Sequence, residues 1–255
     1  LIDSHCHLQH ERFDADRGAV LERAAGAGME RIMVPGWDLP SSVAALELAE
    51  LHAPLIQAAV GVHPHHAAAM DESAWRSVEA LINDPRCTAV GEIGLDFFRN
   101  LSPPVAQRAA FNRQLEMAAA RNLPVLVHDR EAHDEVTAAL LGWVGRTSSD
   151  ARGVLHAFSG DAAMAGALTA SGFLISFALP ISFRSAIGPR AAAAAIGPGT
   201  CLIETDAPFL GPDRDTRNEP ITALRVAAEL ARLRSMEPQA VADEARAAYD
   251  RLVGE

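Results

Sequence analysis

Eight short apolar runs, each followed by a stretch of helical composition, constrain this chain more than any other feature. Taken as strands, the runs cover residues 1–8, 31–36, 55–63, 87–96, 124–128, 153–158, 173–179 and 201–206. Helix-like segments lie between them at 16–27, 41–52, 72–83, 104–121, 131–144, 162–171 and 190–195, and two more, 221–234 and 238–252, follow the last run. Gly marks helix ends in "AGAGME", "ASGF" and "AIGPGT", and Asn-Leu-Pro precedes a strand. Strict alternation implies parallel strands covered by helices. In a chain of 255 residues, eight such units are the size of a closed (β/α)8 TIM barrel. That is the expected fold, as a single domain over 1–255, with a doubly wound open sheet left as the alternative. The seventh unit is the least regular, because "SFRSAIGPRAAAAAIGPG" contains two prolines.

Polar residues fall at the ends of these runs. His5 and His7 end the first, His63 the third, Glu92 and Asp96 the fourth, His128 the fifth, His156 the sixth, and Glu204 with Asp206 the eighth. Side chains at i and i+2 of a strand share a face, so His5 and His7 are expected to aim at one point while Cys6 turns into the wall. In a barrel the C-terminal strand ends surround one mouth, where active sites sit. Singly, each residue has a plainer explanation: a buried His bonded to a carbonyl, or an Asp capping the next helix. Those explanations would have to hold independently at six strand ends. Four histidines (5, 7, 128 and 156) and two carboxylates (Glu92 and Asp206) exceed the needs of one tetrahedral ion and suit two divalent ions. The mixed N/O set fits Zn²⁺, Mn²⁺ or Mg²⁺, with Fe²⁺ and Ni²⁺ also compatible.

Composition limits the partners. The formal net charge is −11, and all 22 basic residues are Arg. An acidic surface argues against non-specific duplex binding, which depends on Lys/Arg contacts to phosphate. A local site can still take a phosphate, and Arg184, Arg190, Arg214 and Arg217 flank the late loops as candidates. Three cysteines in no framework spacing favour a reducing cytoplasm. No apolar stretch is long enough to cross a membrane, the first residues lack the basic leader of a signal peptide, and no obligate protein partner is evident. His10, His52, His66 and His133 are expected at the surface or in caps, and Cys87 and Cys201 in the core. Trp37, at the end of the second run, could line the mouth and stack on a base, or equally cover a loop.

The segments "IDSHCHL", "GVHPH", "VGEIGLDFF", "PVLVHDREAHDEV", "GVLHAFSG", "LIETDAPFL" and "RNEP" resemble those of the TatD family of metal-dependent deoxyribonucleases, within the amidohydrolase-like TIM barrels. The resemblance implies a one- or two-metal site hydrolysing phosphodiester bonds from the 3′ end of DNA, with single-stranded DNA or 3′ ends as the partner. Carried over by position, His5, His7, Glu92 and Asp206 look like ligands of one ion. Glu92, His128 and His156 look like ligands of the other, with Glu92 as the bridge. A metal-activated water would attack phosphorus with Asp206 as general base. His63, and Arg217 in "TRNEP", would hold phosphate; His65, Asp96 and Glu204 would contact substrate or orient ligands. The chain departs from the family at Gln9, where Asp is usual, at Phe97–Phe98, where a Tyr hydroxyl is usual, and in "ARAAYDRLVG", where an Asn is usual.

The runner-up is a hydrolase of a small ester, lactone or amide, because the same barrel serves many substrates. With no Lys to be carbamylated as a metal bridge, Glu92 would have to fill that place. A non-catalytic barrel scaffold is the third reading; it has no use for several mutually repelling groups at one mouth.

Overall fold

The apolar runs pair side by side in chain order. The computed structural model describes residues 1–147, 152–213 and 215–254; Arg214 lies outside them. The strands are β1 Ile2–Asp3, β2 Arg31–Pro35, β3 Ile56–Val60, β4 Cys87–Asp96, β5 Val125–Arg130, β6 Gly153–Leu155, β7 Phe173–Phe177 and β8 Cys201–Ile203. They form one parallel sheet in the order β1-β2-β3-β4-β5-β6-β7-β8. Ser4 N–H donates to Ile203 C=O at 2.9 Å and Asp206 N–H to His5 C=O at 2.8 Å. These bonds join the first strand region to the last, which makes a (β/α)8 barrel and removes the open-sheet alternative. Strand residues are buried on both faces, as in Ile32, Met33 and Val34 or Val125, Leu126 and Val127. The runs therefore read as continuously apolar rather than alternating.

The outer layer comprises α1 Arg17–Gly26, α2 Leu39–Leu51, α3 Glu72–Ile82, α4 Pro104–Arg121, α5 His133–Trp143, α6 Ala162–Ala170, α7 Ile187–Ala195, α8 Ala223–Arg234 and α9 Pro238–Val253. Asp38, Asp71 and Asp161 cap α2, α3 and α6 by accepting backbone N–H bonds. Asn122 ends α4 in the left-handed conformation. No helix among the described residues is long and apolar enough to cross a membrane.

Several runs are shorter as strands than the sequence suggested. The first is regular only over Ile2–Asp3, because the chain beyond it divides its bonds between two neighbours. Cys6 N–H goes to Met33 C=O, whereas His7 N–H goes to Ala207 C=O. The third run ends at Val60 and the eighth at Ile203, so His63, Glu204 and Asp206 stand on the segments just beyond. The seventh helix begins at Ile187, before the expected 190, and accommodates Pro189 in its first turn, where a missing N–H costs nothing.

Candidate metal centre

His5 and His7 lie just past β1 rather than on it, yet their rings still meet: the two Nε2 atoms are 3.3 Å apart. Asp206 joins them from beyond β8, with Oδ1 at 3.8 Å from His5 Nε2 and 3.4 Å from His7 Nε2. Glu92 Oε2, from β4, completes the group at 3.4 Å and 3.5 Å from the same two nitrogens. Four donors about 2.1 Å from a common tetrahedral ion stand roughly 3.4 Å from one another. His5, His7 and Asp206 lie at that spacing from one another, and Glu92 Oε2 lies at it from the two histidines.

The other oxygen of Glu92 faces a second group. Oε1 lies 2.9 Å from His128 Nδ1 and 2.9 Å from His156 Nε2, and these two nitrogens are 3.1 Å apart. His63 Nε2 approaches the same oxygen at 3.4 Å. Glu92 is 3% exposed, so one buried carboxylate turns an oxygen to each cluster. Burial opposes its ionisation, but His156, His63 and His5 around it hold its carboxyl well below the usual range.

The imidazoles divide by how their far nitrogens are used. His128 Nε2 is 3.4 Å from Asp96 Oδ2, and His156 Nδ1 is 3.5 Å from Glu204 Oε1. A carboxylate behind each ring favours the tautomer whose lone pair points into the site. Burial alone would lower both pKa values; Asp96 and Glu92 raise that of His128, and Glu92 with Glu204 raise that of His156 well above 6.5. Burial prevails at His5 and pushes it down. His63 differs again. Its Nδ1 accepts the His65 N–H at 3.1 Å, and burial lowers its pKa to about 3. The neutral ring therefore carries its proton on Nε2, the atom facing Glu92. That makes His63 a hydrogen-bond donor there, although His63, Glu92 and His128 also stand close enough together to hold an ion.

Supporting contacts explain why these segments hold their shape. Asp3, fully buried, accepts bonds from Thr205 N–H at 2.9 Å and Thr205 Oγ1 at 2.5 Å, which ties the His5 segment to the Asp206 segment. Asp206 itself sits at φ +55°, a conformation uncommon outside Gly, and is fixed by its N–H bond to His5. Asp206 is held below the usual carboxylate range: burial opposes this, and His7 and His5 outweigh it. Gly94, at φ +139°, passes so close to β5 that an added Cβ would lie 2.0 Å from the His128 carbonyl oxygen; only Gly permits that approach.

The remaining expected site residues distribute as follows. His65 Nε2 is bonded to Asp96 Oδ2 at 2.7 Å, and Asp96 Oδ1 accepts the N–H groups of Phe98 and Arg99. Glu204 is fully buried and accepts the Ala157 N–H at 2.6 Å, so it stands behind His156 rather than in the mouth. Arg217 is engaged by Asp16 and Glu219 and lies over the Phe13 ring at 4.6 Å. Its neighbour Asn218, fully buried, donates to Thr205 C=O at 2.8 Å. "RNEP" thus clamps the loop that carries Asp206. Arg190 pairs with Glu229. Gln9 donates to Pro35 C=O at 2.7 Å, a bond that the usual carboxylate could not make. Exposed Phe98 carries Arg130 over its face at 4.1 Å. Cys6, Cys87 and Cys201 are buried and unpaired.

Sequence reasoning missed two glutamines and an aromatic. Gln114 accepts the Val62 N–H at 2.7 Å and donates to its carbonyl at 3.1 Å, fixing the segment before His63. Gln107 does the same for Asp96 at 2.8 and 3.1 Å. Both lie fully buried on α4, seven residues apart on a face shared with Ala110 and Phe111, and polar residues on such a face were the available signal. Phe209, 43% exposed, packs edge-on to His7 with centroids 5.8 Å apart. A groove of about 1190 Å³ is lined by His128 and His156 of the second cluster together with Asp129, Ser159, Ile187 and Asp206.

The chain is similar to known proteins along its whole length. The family model described as TatD related DNase matches residues 2–254. An uncharacterized metal-dependent hydrolase, YabD of Bacillus subtilis, is 36% identical over 238 residues, 92% of each chain. A 3′-5′ ssDNA/RNA exonuclease, TatD of Edwardsiella piscicida, is 36% identical over 244 residues, 93% of each chain. The crystal structure of YJJV, a TatD homolog from Escherichia coli K12, superposes with a TM-score of 0.92 at 31% identity, covering 100% of this chain and 98% of that one.

Proposed function

The chain belongs to the TatD related DNases, and from that membership we propose that it is a divalent-metal-dependent phosphodiesterase removing nucleotides from the 3′ end of single-stranded DNA. The observation that carries the metal part is the orientation of Glu92, with one oxygen toward each of two donor clusters. His5, His7, Asp206 and Glu92 would hold one ion, and Glu92, His128 and His156 the other; the donor set fits Zn²⁺, Mn²⁺ or Mg²⁺. When bound, such ions supply Lewis-acid polarisation of the phosphodiester and a lowered pKa of coordinated water.

The protein's own groups do the rest. Asp206 is ionised, lines the groove, and accepts the proton of the attacking water as general base. His63 donates from Nε2 to a non-bridging phosphate oxygen, and its neutrality keeps that proton in place at working pH. Asp96 and Glu204 fix the ring orientations of His128 and His156. The substrate assignment follows the named relatives, since the residues around the metals would also serve a small ester or lactone. A cytoplasmic setting goes with three buried, unpaired cysteines.

The test is a substrate panel. Metal-reconstituted protein is given single-stranded DNA, RNA, a p-nitrophenyl ester and a lactone, each with and without chelator and beside Asp206→Ala. Chelator-sensitive DNA cleavage that disappears in the variant supports the proposal. Turnover of the ester or lactone with intact DNA overturns it.

A further inference from the structure

Three aromatic side chains crowd one side of the candidate metal centre. Trp37 follows β2, His10 follows β1, and Phe209 follows β8, so all three stand on adjoining loops of the mouth. Trp37 and Phe209 both meet His7 edge-on, with centroids 5.2 and 5.8 Å away and ring planes at 75° and 72°. Both also contact His10, at 5.8 and 5.4 Å. Among the described residues no ring contact joins Trp37 to Phe209. Phe209 is 43% exposed and Trp37 half-buried.

We propose that Trp37 and Phe209 form a stacking site for one nucleobase of the nucleic-acid strand, next to the scissile phosphate. This rests on the nuclease reading above. The charge distribution is the independent argument. A polyanion bound by an acidic protein with a net charge of −11 receives little help from the surface. Several arginines near the mouth are engaged elsewhere: Arg217 with Asp16 and Glu219, Arg190 with Glu229, and Arg12 with the Pro208 carbonyl, while Arg130 lines the groove over Phe98 and Arg184 is exposed after β7. Groups indifferent to charge then add affinity beside the metal centre and these few cations. Aromatic faces meet that need, and they tolerate any sequence because every base has a π-face. Their contact with His7, a proposed ligand, places a stacked base on one of the two nucleotides that flank the cleaved bond.

The experiment moves a single abasic nucleotide through a short single-stranded DNA and measures KM and kcat for wild type, Phe209→Ala, Trp37→Ala and Phe209→Trp, with metal content determined for each. Removing one stacked base raises KM roughly 5- to 100-fold. The expected result is a rise of that size for wild type when the abasic nucleotide occupies one position beside the scissile bond. Phe209→Ala and Trp37→Ala show the higher KM on intact DNA and no further penalty at that position, with metal content and kcat kept, and Phe209→Trp restores KM. A wild-type enzyme that cuts DNA and ignores the abasic position overturns the stacking site alone. So does a Phe209→Ala protein that loses metal and keeps its sensitivity to the abasic position, because the ring then serves only to support His7. Failure of wild type to cut DNA with any metal overturns the nuclease reading and the stacking site with it.

Discussion

Replacing Glu92 with Gln keeps the side-chain shape and removes the charge shared by both clusters. The carboxylate is buried, with Oε1 2.9 Å from the His128 and His156 nitrogens and Oε2 3.4 Å from His5 Nε2 and 3.5 Å from His7 Nε2. Removing one member of a buried charged contact costs about 3–5 kcal/mol, or roughly 10²- to 4 × 10³-fold in affinity. Because each oxygen serves a different cluster, Glu92→Gln weakens both ions by factors of this order. Asp206→Asn, whose carboxylate touches only the His5 and His7 pair, weakens one. Calorimetric titration of chelator-stripped protein with Mn²⁺ or Zn²⁺, backed by elemental analysis after dialysis, separates these patterns. Two tight ions retained in Glu92→Gln, or the loss of one alone, would refute the bridging assignment.

Two further perturbations follow from the same contacts. In the metal-free protein His156 and His128 hold protons above the ordinary imidazole pKa, and a protonated ring offers no lone pair. Metal binding at that cluster therefore releases protons, and its affinity rises as the pH climbs from 6.5 through their raised pKa values. His5 is pushed the other way, so it adds no such release. Titrations in buffers of different ionisation enthalpy measure the release; pH-independent affinity without proton release contradicts it. Gln114→Leu strands the Val62 N–H and carbonyl, which costs about 2–4 kcal/mol and lowers the melting temperature by roughly 5–10 °C. An unchanged melting curve would show that the Val62 segment holds itself.

The barrel was legible because buried parallel strands leave continuous apolar runs, and the metal-type residues stood at their ends. Strand lengths were not legible, since the ladder at His5 to His7 breaks when the backbone divides its bonds between two neighbours. The convergence of His5 and His7 survived that error because the two-residue spacing does not need a regular ladder. "RNEP" reads in the sequence as a phosphate contact at Arg217, whereas Arg217 and Asn218 are bound to Asp16, Glu219 and Thr205. Partners just over two hundred residues away in sequence, such as Asp16 and Asp3, leave no local trace. Gln107 and Gln114 were hidden for a different reason, since their partners lie only 11 and 52 residues away: a helical pattern shows which face is buried, not which carbonyl waits there.

Cleavage of 5′-labelled single-stranded DNA by metal-loaded protein tests the central claim most directly. The expected result is a ladder of products shortened one nucleotide at a time from the 3′ end, abolished by chelator and absent with Asp206→Ala. Full-length DNA after incubation with Mg²⁺, Mn²⁺ and Zn²⁺, or cuts confined to the middle of the strand, would contradict it.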